Sequence, residues 1–343
     1  MTRVLNAILA LALLAASAAA IACSRNGGAD AEYHATVPGL TREATATPPP
    51  ATVAPSPSPT ATQPAPGECG ALPSGVRAGV TVVRTLTVDG VERSYRLHIP
   101  AGVETAAGLP VVLNFHGLGS SAAEQEAYSG LIPLSDREKF ILITPDGTGS
   151  PRGWAILALN NSPADDVAFV DLLLDTIEAE LCPDLARVYS TGMSNGAFFS
   201  SLLGCIRSDR IAAIAPVAGV AWSDDLPCGR PMPIIAFHGF ADGTVPFAGG
   251  EIFGVIPYAG AEKNVDGWAR HNGCEPDSNW SKLTEHVYRV TYAGCEAPTE
   301  LIAIDGGGHT WPGAIPVPRL GPTTDEISAA EMIWAFFADT SIP

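Results

Sequence analysis

"YSTGMSNGAF", residues 189–198, holds one serine between two glycines: Gly192-Met193-Ser194-Asn195-Gly196. G-x-S-x-G is the spacing of a nucleophile on a sharp strand-to-helix turn. With 35 glycines in 343 residues, the spacing alone is a weak signal. Its flanks strengthen it. "RVYST" before it is a short run of strand-forming residues, and "GAFFSSLLGCI" after it has helical character. A serine at such a junction exposes its hydroxyl above the sheet, and side chains at the flanking glycines would clash in the turn. The helix N-terminus offers free N–H groups to a developing oxyanion.

Other apolar runs end in the same way. "LPVVLNF" ends at His116-Gly117, "FILITP" at Asp146-Gly147, "IAAIAPVAG" at Gly219, "MPIIAF" at His238-Gly239 and "ELIAI" at Asp305-Gly306. Continuous apolar runs read as strands buried on both faces, hence a parallel sheet. "GVTVVRTLTVDGVERSYRLHI" reads as a hairpin turning at Asp89-Gly90. Helices are expected over Asp165–Leu181, after Ser194, and over "TTDEISAAEMIWAFFADT", which starts with Thr/Asp caps. Strands alternating with helices give a doubly wound α/β sheet, mostly parallel, with an antiparallel N-terminal hairpin. Ligands bind such sheets at the C-terminal ends of the strands.

The rest of the chain bounds the class. Residues 1–22 read as a signal peptide: Arg3, then an Ala-rich apolar stretch. "AIAC" resembles a lipobox, with Cys23 as the lipidated residue; plain signal-peptidase cleavage is the alternative. Residues 23–67 are a Pro/Thr/Ala/Ser-rich tether, and 68–343 form the catalytic domain. The net charge of −17, without any Lys/Arg cluster, argues against nucleic acid and leaves only the N-terminal lipid for membrane attachment. An extracellular or cell-surface monomer is expected. Six further cysteines (Cys69, Cys182, Cys205, Cys228, Cys274, Cys295) suit an oxidising compartment and allow fifteen pairings. No CxxC occurs, and neither metal nor cofactor is expected.

A serine nucleophile needs a base, and the base an orienting acid, in the chain order Ser, Asp/Glu, His. His271 lies in a polar helical stretch and His286 in an alternating strand. His309 follows a strand through "DGGGH" and is the candidate base. Asp242, just past "MPIIAF", is the candidate acid, with Asp305 the runner-up. The backbone N–H groups of Leu118 and Asn195 are the candidate oxyanion donors. His116 is expected to hold the Leu118 loop. Trp311 and Trp154 are candidate walls of an acyl pocket; the alternative is that both only pack the loops.

The motifs "LNFHGLGSSA", "DDVAFVDLLLD", "RVYSTGMSNGAF", "IAPVAG", "FHGFADGTVPFAGG" and "GGGHTWPG", in this order, resemble secreted esterases of the polyhydroxybutyrate depolymerase and feruloyl esterase type, on an α/β-hydrolase fold. The resemblance implies Ser194 as nucleophile, Asp242 as acid and His309 as base, with a polyester or an acylated polysaccharide as the ester substrate. It also implies disulfides Cys205–Cys228 and Cys274–Cys295, which leaves Cys69 with Cys182. The chain departs from the pattern at Leu118, often Cys in the family, and in "GWAILALNNSPADDVAF", which lacks a cysteine. Both departures touch the substrate rim.

Other classes fit less well. "GLGSSA", residues 117–122, matches the dinucleotide pattern G-x-G-x-x-A, but an exported chain meets little nicotinamide cofactor. A serine exopeptidase or acyl-peptide hydrolase would share the triad but usually carries a preceding propeller domain. A non-catalytic surface-binding protein would have lost a triad member.

Overall fold

The computed structural model describes residues 71–156 and 164–343. The expected signal peptide, Cys23, the tether and Cys69 lie outside the described residues.

A ten-stranded mixed sheet forms the frame. Its strands are β1 (Thr81–Val88), β2 (Val91–His98), β3 (Val111–Phe115), β4 (Ile141–Pro145), β5 (Val188–Met193), β6 (Ala213–Val217), β7 (Ile234–Gly239), β10 (Ser278–Lys282), β11 (Val287–Tyr292) and β12 (Thr299–Ile304). They lie in the order β1-β2-β4-β3-β5-β6-β7-β12-β11-β10. The central six, β4 to β12, pair in parallel. The hairpin β1–β2 closes one side and β11–β10 the other, both antiparallel. A separate two-stranded ribbon joins β8 (Gly250–Ile252) to β9 (Ile256–Tyr258).

Alternate residues of the central strands feed two cores. Val111, Leu113, Ile234, Ala236 and Leu301 face one cluster, which includes Phe169, Leu173, Phe199 and Trp268. Val112, Ile235, Phe237 and Ile302 face the other, with Leu134, Ile333 and Phe337. Helices α3 (Asp166–Leu181), α4 (Asn195–Ile206) and α5 (Ala261–His271) therefore cover one face. Helices α2 (Leu131–Glu138) and α6 (Ala329–Ala338) cover the other. A short α1 (Ala122–Ser129) precedes α2. Burial on both faces is what the unbroken apolar strands require.

The helix α3 starts as expected: the Asp165 carboxylate accepts from the N–H groups of Val167 and Ala168. The last helix does not. It begins at Ala329, capped by Ser328, and not near Thr323. Residues 322–326 are engaged elsewhere. Gly308 N–H donates to Pro322 O at 2.8 Å, Gly313 N–H donates to Thr324 O at 2.9 Å, and Glu326 pairs with His286. These bonds tie the segment to the loop around His309.

The chain runs from β3 to β4 on one side of β3, then crosses to β5 on its other side. This reversal opens a crevice beyond the C-terminal ends of β3 and β5, the usual ligand position in an open α/β sheet.

Candidate active site

Ser194 stands between β5 and α4 at φ 57°, ψ −119°, a conformation that disfavours a side-chain-bearing residue. Neighbouring glycines make the turn possible. A Cβ on Gly192 would lie 2.6 Å from Phe115 O, and one on Gly196 2.2 Å from the same atom. Every residue from Val188 to Ser201 is buried except Ser194, which is partly exposed. The junction thus presents this one residue to the crevice.

Asp242 follows β7 and His309 follows β12, two strands that pair in parallel. A Cβ on Gly239 would meet Gly307 O at 2.1 Å, so only glycine lets these strand ends approach. The Asp242 carboxylate accepts from His309 Nδ1 at 2.8 Å through Oδ2. Its Oδ1 accepts from the N–H groups of Thr244 and Val245 at 2.9 and 2.8 Å. Both side chains are nearly buried. Burial pushes the Asp242 carboxyl up, but hydrogen bonds from His238 and His309 outweigh it and hold the group well below the usual carboxylate range. His309 keeps its second ring nitrogen, Nε2, for a reacting partner.

The sequence pattern alone does not mark His238 as a site residue, although "FHGFAD" contains it four positions before Asp242. Its Nε2 lies 2.8 Å from Val245 O and 3.3 Å from Asp242 Oδ2. A carbonyl accepts only, so Nε2 carries the proton and donates to both oxygens. A histidine at a strand end, one turn before the candidate acid, was the available signal. Asp305 is exposed, and the acid that meets His309 is Asp242. His271 bonds Arg230 O and His286 bonds Glu326, so neither joins this cluster.

The loop after β3 packs against the serine. A Cβ on Gly117 would lie 3.4 Å from Ser194 Cβ. The backbone N–H groups of Leu118 and Asn195 have no acceptor among the described residues, so both are free to bind an anion. The His116 ring braces this loop. Its Nδ1 donates to Gly117 O at 2.8 Å, while Nε2 accepts from Gly147 N–H at 2.9 Å. Burial pushes the imidazole's pKa down, which favours the neutral ring that this pattern needs. Gly119 N–H donates to Arg152 O at 2.6 Å, joining the loop to the segment after β4.

Trp154 and Trp311 are 0% and 1% exposed, so neither faces an open acyl pocket in this structure. Trp154 stacks on Phe199 at 4.9 Å and donates its indole N–H to His116 O at 2.9 Å. The Asn195 amide clamps the Trp154 backbone through bonds of 2.7 and 3.2 Å. Trp311 sits in the core with Met193 and Phe337. Their burial fits the packing alternative, not the pocket wall. The two expected disulfides are present, Cys205–Cys228 and Cys274–Cys295. Cys182 is also disulfide-bonded, and its expected partner Cys69 lies outside the described residues.

Known proteins resemble this chain. Feruloyl esterase D of Neurospora crassa is 29% identical over 284 residues, spanning 79% of this chain and 89% of that protein. A protein named "Probable feruloyl esterase C" of Aspergillus clavatus is 30% identical over 232 residues, 64% of this chain and 77% of its own length. The solved acetyl xylan esterase from Aspergillus awamori shares the fold, with a TM-score of 0.54 at 15% identity, covering 75% of this chain and 99% of that one. No family model matches the chain.

Proposed function

Because the chain belongs to the feruloyl esterase family of α/β hydrolases and is a carboxylic ester hydrolase, we propose that it cleaves hydroxycinnamoyl esters of plant polysaccharide through Ser194, His309 and Asp242. The observation that carries this reading is the buried Asp242–His309 bond of 2.8 Å at the sheet edge where Ser194 occupies its strained turn. The serine Oγ attacks the ester carbonyl, and His309 Nε2 takes its proton. Asp242 keeps Nδ1–H oriented and stabilises the imidazolium that forms. The carbonyl oxygen, now negative, is received by the N–H groups of Leu118 and Asn195. The intermediate collapses as His309 returns the proton to the departing sugar oxygen. Water then attacks the acyl-serine by the same route, and the acid leaves.

The disulfides support an exported enzyme, since such bridges persist in oxidising compartments. We propose a leader over residues 1–22, lipid at Cys23 and a tether to residue 67 carrying a monomeric catalytic domain. The test is hydrolysis of methyl ferulate, together with labelling by a serine-directed organophosphate. Label at Ser194 alone supports the reading; label at another serine, or none, rejects it.

A further inference from the structure

The six tryptophans divide by what their indole N–H groups do. Those of Trp154, Trp222, Trp268 and Trp334 donate to protein acceptors. That of Trp311 is buried without a partner. Trp280 differs from all five. It is 40% exposed, and its N–H makes no hydrogen bond among the described residues. It sits on β10, the outermost strand, whose five residues are all exposed.

Trp280 belongs to a row of rings. Tyr288 lies 6.2 Å away on β11, and Phe240, itself 39% exposed, lies 6.4 Å away at an interplanar angle of 33°. Phe240 in turn abuts Phe247 at 4.5 Å. The row leads to the loop that carries Asp242. Phe240 follows β7 and stands two residues before Asp242. Its N–H donates to Ile304 O, and that of Ala241 donates to Gly307 O, each at 2.9 Å. The loops that fix Phe240 are thus those that carry Asp242 and His309.

We infer that the Tyr288–Trp280–Phe240 row is a subsite for the neutral glycan chain that bears the ester. This rests on the proposed reading of the substrate as an acylated polysaccharide. A pyranose ring has a face of C–H groups and an edge of hydroxyls. The C–H face suits an exposed aromatic plane, and a hydroxyl can accept the unused indole N–H. Ser278 and Lys282 stand on the Trp280 face of β10, two residues to either side, and supply polar partners for further hydroxyls. The net charge of −17 opposes an acidic polymer. Size argues against a protein partner: partly exposed rings of this kind offer roughly 200–300 Å² together, against about 800 Å² per side in a stable protein interface.

The test separates glycan binding from ester chemistry. Ser194→Ala protein is titrated with unesterified xylohexaose, following indole fluorescence and heat. Binding should weaken at least tenfold on adding Trp280→Ala, equivalent to about 1.4 kcal/mol, and Trp280→Phe should restore most of it. Trp280→Gln, of similar reach, should behave like the alanine variant and covers any disturbance of β10 by truncation. In the active enzyme, the ratio of kcat/KM on feruloylated xylo-oligosaccharide to that on methyl ferulate should fall about tenfold in Trp280→Ala. Three results overturn the inference: an unchanged titration and ratio; a dimer that Trp280→Ala disperses; or a Trp280-dependent affinity for polyhydroxybutyrate granules without affinity for the glycan. A wild type that hydrolyses no feruloyl ester overturns the substrate reading instead, and the titration, which needs no turnover, still reports on the row.

Discussion

Ser194 holds a positive φ of 57° that a glycine adopts without strain. Backbone strain of this kind costs about 1–3 kcal/mol, partly offset because glycine gives the unfolded chain more freedom. Ser194→Gly should therefore melt about 2–4 °C above Ser194→Ala in calorimetry; equal melting temperatures would show that the turn is unstrained. Both variants should lose ester hydrolysis by about 10⁴-fold or more. Asp242→Asn should lower kcat by a similar factor, because an amide no longer accepts two imidazole N–H groups and fixes the wrong tautomer. It also changes acid stability. The folded Asp242 carboxyl is held below its ordinary range, so its contribution is present above the unfolded value of about 4 and is lost as pH falls below it. Urea titrations of Asp242→Asn below pH 4 should show a shallower loss of stability than wild type; an identical slope rejects this. The chain order Ser, Asp, His made three of these residues legible. His238 was not, because its role depends on Val245 and Asp242 arriving at one ring nitrogen, and only the folded loop after β7 makes that meeting.

Among the elements, strands buried on both faces were plain in the sequence, since β3, β4, β6 and β7 are apolar runs cut by glycine or proline. The strand β10, "SNWSK", was not legible. All its residues meet solvent, so no alternation marks it, and only pairing with β11 orders it. The helix α1, "AAEQEAYS", is polar and short, and it is secured by Ser121 at one end and Gly130 at the other. The start of α6 lies later than its Thr/Asp caps suggest, because Thr324 O accepts from Gly313 N–H in the loop beyond His309 and Glu326 binds His286. The same loop explains Trp311. Its backbone N–H lies 3.4 Å from Tyr128 Oη, and its ring is buried in the core two residues after His309. Trp311→Ala should then lower kcat on p-nitrophenyl acetate and on methyl ferulate alike, by roughly tenfold, with little change in KM. A loss confined to the larger ester would make the ring a reader of substrate after all.

At the scale of the whole molecule, the cross-links lie at one end of the sheet. Cys228 precedes β7 and Cys295 precedes β12, the strands that lead to Asp242 and His309. Each closes a loop of 23 or 21 residues, which the chain-entropy model values at about 3 kcal/mol. Cys182, also bonded, precedes β5 and hence Ser194. Reduction with dithiothreitol should therefore lower the melting temperature by several degrees per bridge while leaving kcat at 25 °C within about twofold. An early loss of activity without loss of melting temperature would place the bridges' influence at the catalytic end. The arrangement separates two kinds of freedom. The feet of the three strands are stapled, whereas the loops above their tips carry no cross-link between described cysteines. The segment Phe253–Val255, exposed on the ribbon turn between β8 and β9, should accept a longer or differently charged replacement with little penalty in folding. New substrate preferences should come from such grafts more readily than from changes in the body, because the disulfides that brace the strands leading to the proposed Ser194, Asp242 and His309 sit at the other end of those strands.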